Sequence, residues 1–138
     1  MSSCPFIRLF DDAFTLDTAR RLSFVTEVTG PEGFHITHMT HVAEIGRDLA
    51  DLASQTRSPF HHYPDGVVLF IGTMFTPLDD RGAPGSGFTH EVGDVVRIAA
   101  PELGALVNEV VHCDDAEPWS FGTGALMANL ARRGVLRD

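Results

Sequence analysis

Apolar and polar residues alternate in two pairs of segments, and a turn rich in glycine or proline separates the members of each pair. Residues 21–28 (RLSFVTEV) and 34–37 flank the turn TGPEG at 29–33. Residues 93–99 (GDVVRIA) and 104–111 (GALVNEVV) flank a turn around Pro101. Extended runs of β-branched and aromatic residues joined by short turns are typical of β-hairpins. The pattern therefore predicts two hairpins.

The period of the apolar positions changes to three and four over residues 42–55, which predicts an amphipathic helix. Its apolar positions are Val42, Ile45, Leu49 and Leu52. A second helix is predicted over residues 121–133, because two arginines end it and Gly134 follows as a C-terminal stop.

Residues 67–71 (VVLFI) are apolar without alternation, which is typical of a strand buried on both faces. Residues 81–87 (RGAPGSG) contain three glycines and a proline and predict an exposed loop. The fold class predicted from these elements is a β-rich α+β domain with two helices, spanning residues 1–138.

The 138 residues carry a net charge of −9, and all ten basic residues are arginines. An acidic chain without a basic segment is a poor partner for nucleic acid or for an anionic membrane surface. The absence of lysine excludes Schiff-base chemistry by a side chain of this sequence. Cys4 and Cys113 make no disulfide framework, and no apolar run is long enough to span a membrane, so we expect a soluble, cytoplasmic protein.

Three of the seven histidines, His35, His38 and His41, recur at a spacing of three, with Glu44 three residues further on. On a continuous helix these side chains could converge on one metal ion. The pattern places His35 on a strand, however, and on a strand His35 and His38 point to opposite faces. Solvated or locally hydrogen-bonded histidines are the preferred interpretation, and no metal ligand is assigned.

Gly72, Thr73 and Met74 follow the apolar run, and a glycine with a hydroxyl beyond a strand end can admit and bind a carboxylate. Several motifs surround this segment and extend over nearly the whole chain. They are PFIRLFD at 5–11, EIxRD at 44–48, YPDGVVLFIGTMF at 63–75, DRGAPGSGFTH at 80–90, GDVV at 93–96, LGALVN at 103–108 and PWSFG at 118–122.

These motifs resemble the C-terminal part of the fumarylacetoacetate hydrolase family, especially its dehydratases of 2-keto-3-deoxy-pentonates such as arabinonate or xylonate. The resemblance implies the C-terminal portion of a mixed β-roll, or β-clam, in a homo-oligomer. It also implies that Thr73, with Gly72 and Met74, helps to bind the carboxylate of a keto-acid substrate. In the family, Mg²⁺ is held by a Glu-x-Glu pair and an aspartate, and a lysine lies nearby.

The sequence contains neither a Glu-x-Glu pair nor a lysine. The resemblance therefore predicts a truncated relative of these lyases and hydrolases that needs no cofactor of its own and is inactive alone. Two alternatives remain open. The chain could be one half of a split dehydratase or hydrolase completed by a partner chain, or it could be a non-enzymatic module that associates with itself.

Overall fold

The computed structural model describes residues 6–58, 60–72 and 77–136. Four antiparallel strands form an open sheet in the order β2-β1-β3-β4. The strands are β1 (Ser23–Thr29), β2 (His35–His41), β3 (Val95–Ala100) and β4 (Gly104–Glu109). β1 and β2 form one hairpin, and β3 and β4 form the other. Both predicted hairpins are therefore confirmed, and the class is α+β.

What the sequence pattern did not reveal is that β1 pairs with β3, which joins the two hairpins into one sheet. In this register Thr26 lies opposite His38 on one side and Ile98 on the other. Side chains of a strand alternate between the two faces of a sheet. The even-numbered positions of β1, β2 and β3 therefore share one face, and this face borders the candidate site described below.

The described residues contain three α-helices, α1 (Leu16–Arg20), α2 (Leu49–Thr56) and α3 (Thr123–Arg132), so the expectation of two was wrong. α1 was missed because its five residues are too short to show a period. Thr15 caps its N-terminus. The Thr15 side chain accepts a hydrogen bond from the Thr18 N–H, and the Thr18 side chain accepts one from the Thr15 N–H. α3 agrees with the predicted C-terminal helix.

The predicted helix over 42–55 is interrupted. Val42–Glu44 forms a single 3-10 turn, and α2 begins only at Leu49. The side chain of Asp48 accepts the Ala50 N–H and so caps α2, and Arg20 binds the same carboxylate through two nitrogens. Capping by Asp48 fixes the helix start, which apolar spacing alone could not locate. Among the described residues no helix has the length and apolar character needed to cross a membrane.

The core lies where α1 and the 3-10 turn cover one end of the sheet. Phe14, Ala19, Leu22 and Val42 are buried there, and Phe24, Ile45 and Leu49 pack against them. A backbone hydrogen bond from Val42 to Leu22 joins the two segments. This small core closes one end of the sheet and leaves much of its even-numbered face accessible.

Residues 67–71 differ from the prediction of a strand buried on both faces. They pair with no strand in the described part of the chain, and their side chains are 42 to 77% exposed. Burial on both faces needs neighbouring strands and covering layers, and the four-stranded sheet supplies neither for this segment. Residues 81–87 form a loop as predicted, except that Arg81 is buried rather than exposed.

Candidate functional site

The even-numbered face of the sheet borders an open cavity of about 460 Å³. Aliphatic side chains from the sheet and from the α1–α2 region dominate its lining, among them Leu22, Val28, Val42, Leu49, Val96 and Ile98. Among the described residues, the polar side chains that line it are Thr26, Thr40 and His90. Cavities that hold small molecules have this character, with an apolar lining and a few polar groups that orient the ligand.

Gly72, the first residue of the predicted Gly-Thr-Met segment, lies in the wall of this cavity with Ile71 and Pro77. Its φ of 84° lies in the left-handed region that glycine tolerates, and an added Cβ would meet nothing within 4 Å. Backbone conformation rather than lack of space therefore favours glycine here. Thr73 and Met74 lie outside the described residues, so the carboxylate-binding role assigned to them by resemblance stays a prediction.

A buried ion-pair network lies beside the cavity and centres on Arg81. Two guanidinium nitrogens of Arg81 donate to the two carboxylate oxygens of Asp94 at 2.6 and 2.8 Å. The same guanidinium donates to Glu32 and lies 4.6 Å from the ring centre of Phe34. Asp94 has no exposed surface, and its hydrogen bonds from Arg81 hold its pKa at about 2. Two opposite buried charges thus compensate each other in a planar, two-point contact.

The loop that follows Arg81 is folded by its own polar groups. The carboxylate of Asp80 accepts the N–H groups of Gly85 and Gly87 at 2.7 and 2.8 Å, and these bonds lower the pKa of Asp80. The Arg81 N–H donates to the Gly87 carbonyl. Sequence reasoning missed Arg81 because the glycines around it indicated only an exposed loop. The three acidic partners, Glu32, Glu91 and Asp94, become neighbours of Arg81 only in the tertiary structure.

His90 connects this network with the cavity, since it lines the cavity wall and its Nδ1 lies 3.4 Å from Oδ2 of Asp94. Its ring meets the ring of Phe88 edge to face, with centres 4.9 Å apart. Within residues 6–58, 60–72 and 77–136, no hydrogen bond engages Nε2 of His90. A buried carboxylate and an aromatic ring therefore hold an imidazole at the edge of an aliphatic cavity.

The three regularly spaced histidines do not converge. All lie on β2, where His35 and His41 share one face and His38 lies on the other. His35 is hydrogen-bonded to Thr29 and Thr37, and His41 to Ser23. His38 lies 2.8 Å from a carboxylate oxygen of Asp79. The preferred interpretation of locally hydrogen-bonded histidines agrees with this arrangement.

The described residues contain no group of three or more histidine, cysteine or acidic side chains placed to hold a metal ion. The donor set for the Mg²⁺ ion that the resemblance implies is therefore not found in the described part of this chain. Cys113 is exposed and free, and Cys4 lies outside the described residues.

The fold and the site define an α+β protein in which an open antiparallel sheet carries an aliphatic cavity with one oriented imidazole. Comparisons with family models, curated proteins and solved structures gave no match for this chain. What the cavity binds must therefore be argued from its own residues and from the sequence resemblance.

Proposed function

We propose that this chain forms the carboxylate-binding part of a keto-acid site of the fumarylacetoacetate hydrolase type and is cytoplasmic. In this proposal its sheet is part of a mixed β-roll, as in the Mg²⁺-dependent 2-keto-3-deoxy sugar-acid dehydratases that its motifs resemble. Thr73, with Gly72 and Met74, binds the substrate carboxylate. The chain alone has no dehydratase or hydrolase activity.

The observation that supports this proposal most directly is the position of Gly72 in the wall of the cavity. Gly72 follows the apolar run directly and has a φ of 84°, a conformation that glycine tolerates. The next residue is Thr73, whose hydroxyl can donate a hydrogen bond to a carboxylate oxygen. The motif that carries the sequence resemblance thus adjoins a cavity of suitable size.

The proposed inactivity follows from the residues that enolisation in this family needs. The sequence has no lysine and no Glu-x-Glu pair, and the described residues offer no metal-holding cluster. In the family the metal ion polarises the keto acid for enolisation and loss of water. In this proposal no Mg²⁺ is bound by this chain alone.

An activity and binding assay tests the proposal. We expect the purified chain with Mg²⁺ to show no dehydration of 2-keto-3-deoxy-arabinonate or 2-keto-3-deoxy-xylonate. We expect saturable binding of the keto acid, weakened about tenfold by Thr73→Val, because a hydrogen bond to a charged group is lost. The matched control is Thr37→Val, on the opposite face of the sheet. Turnover by the chain alone would contradict the inactivity, and equal binding by both variants would contradict the role of Thr73.

Association with a further chain, either a complementing partner or a second copy, is the second candidate. It is favoured by the exposed residues 67–71, where Val68 is 77% and Phe70 60% exposed. In the described part of the chain β2 and β4 are the edge strands of the sheet, and exposed apolar residues and open sheet edges are both typical of surfaces that another chain covers.

The mass of the protein in solution tests self-association. We expect light scattering to show an oligomer that Val68→Arg combined with Phe70→Arg converts to monomer, because two charges cannot be buried in an apolar contact. Leu78→Arg is the control, since Leu78 is equally apolar and 88% exposed but lies outside the segment. A monomeric wild type, or an oligomer that both changes leave intact, would exclude self-association through this segment.

A further inference from the structure

We propose that His90, held in place by Asp94, binds the carboxylate of a small acid whose aliphatic chain occupies the cavity. This inference deepens the proposed function and rests on it for the expectation that the acid is a 2-keto acid. It changes the expected substrate class, because the aliphatic lining fits an apolar chain better than the polyhydroxylated chain of a sugar acid.

The first step of the argument is the orientation of the imidazole. Nδ1 of His90 faces Oδ2 of Asp94 at 3.4 Å, which leaves Nε2, on the other side of the ring, for an occupant of the cavity. The ring contact with Phe88 restricts its rotation further. These two contacts together set the direction of the ring.

The second step concerns charge. Asp94 is already neutralised by Arg81, so His90 is not needed to compensate a buried carboxylate. A protonated imidazole donates from both nitrogens, so that Asp94 and a ligand carboxylate could be bound at the same time. A carboxylate is therefore the ligand group that complements this site.

The third step concerns the rest of the ligand. The cavity of about 460 Å³ is lined by aliphatic residues such as Val28, Val96 and Ile98. Its volume lies within the range of about 300–1,000 Å³ that small-molecule sites have. The hydroxyls of a sugar chain would lose their hydrogen bonds to water against this lining, which is unfavourable. In the described part of the lining, Thr26 and Thr40 supply further polar groups, which can bind one additional oxygen such as a keto group.

A ligand titration followed at the imidazole resonances of His90 tests the inference. The full chain, labelled with ¹⁵N at histidine, is titrated at pH 6 with 2-oxohexanoate, hexanoate, 1-hexanol and 2-keto-3-deoxy-arabinonate. We expect 2-oxohexanoate to shift the Nε2 resonance of His90 saturably. We expect His90→Gln to weaken binding about tenfold, as the loss of a charge-assisted hydrogen bond does. The matched control, His35→Gln on the opposite face, should leave the affinity unchanged.

The outcomes separate this inference from the proposed function. Hexanoate binding as tightly as 2-oxohexanoate, with both dependent on His90, would support the carboxylate site and contradict a keto-acid function. Equal binding of 1-hexanol and hexanoate, or tighter binding of the sugar acid, would overturn the inference. If His90→Gln does not fold, the wild type alone tests the inference. An Nε2 resonance of His90 that does not shift when hexanoate is added would then reject the inference.

Discussion

Replacing Asp94 with asparagine is expected to lower the free energy of unfolding by about 3–5 kcal/mol, the usual cost of breaking a buried ion pair. Asp94 is fully buried and accepts two hydrogen bonds from Arg81 and one from the Glu91 N–H. Asparagine has nearly the same shape but no charge, and its amide group would face the donors of Arg81. The buried guanidinium would then keep only partly exposed acidic partners, Glu32 and Glu91.

Urea unfolding followed by far-ultraviolet circular dichroism measures this effect. The matched control is Glu27→Gln, which breaks the exposed ion pair between Glu27 and Arg97, and exposed pairs contribute about 0.2–1 kcal/mol. A loss at Asp94 no larger than the loss at Glu27 would show that the buried network does not stabilise the fold.

The wild type and Asp94→Asn also show how the contribution of Asp94 to stability depends on pH. The pKa of Asp94 is lowered from 3.8 to about 2, chiefly by its hydrogen bonds from Arg81. Between these two values the unfolded chain binds more protons than the folded chain. The stabilisation by Asp94 is therefore fully present above pH 3.8 and is lost as the pH falls through about 2. The stability difference between wild type and Asp94→Asn should shrink in that range, and a constant difference would contradict the assignment.

Replacing Phe14 with alanine is expected to lower the free energy of unfolding by about 3–5 kcal/mol, as is typical of a buried aromatic residue in a small core. Phe14 is 6% exposed and belongs to the buried cluster with Ala19, Leu22 and Val42. The guanidinium of Arg8 also lies 5.1 Å from the centre of its ring. The substitution would remove the largest buried side chain of that cluster and leave a cavity at the closed end of the sheet.

Phe10→Ala provides the comparison for Phe14→Ala. The two rings stack with centres 5.8 Å apart, but Phe10 is 63% exposed. Removing the Phe10 ring should lower the free energy of unfolding by only about 1 kcal/mol, the contribution of the aromatic contact. If the two variants unfold at the same urea concentration, the cluster around Phe14 is not the core of the protein. If Phe14→Ala does not fold at all, Phe14→Leu gives the smaller, measurable loss.

Features that depend on neighbouring residues were predictable from the sequence, whereas features that depend on distant residues were not. The hairpins were predictable because alternation and turn residues act over a few positions, and α3 was predictable because Gly134 marks its end. The start of α2 was not, because it depends on the side chain of Asp48, which Arg20 holds from 28 residues away. Burial of residues 67–71 was expected from their apolarity, although burial requires neighbours that hydrophobicity alone does not specify.

The candidate site shows the same division. Gly72 lies in the wall of a cavity, and its role in substrate binding stays a prediction, whereas neither Arg81 nor His90 was singled out from the sequence. Both residues depend on Asp94, which is 13 residues from Arg81 and four from His90. An ion pair over such a distance leaves no periodic signal in the sequence.

The sequence by itself determined the two hairpins, the C-terminal helix, the acidic character and the absence of lysine, because these follow from residue type and short-range spacing. The tertiary structure alone decided that β1 joins the hairpins, that Arg81 and Asp94 are buried together, and that His90 reaches the cavity. The physical reason is that pairing of distant strands and compensation of buried charges depend on how the whole chain packs, not on neighbouring residues.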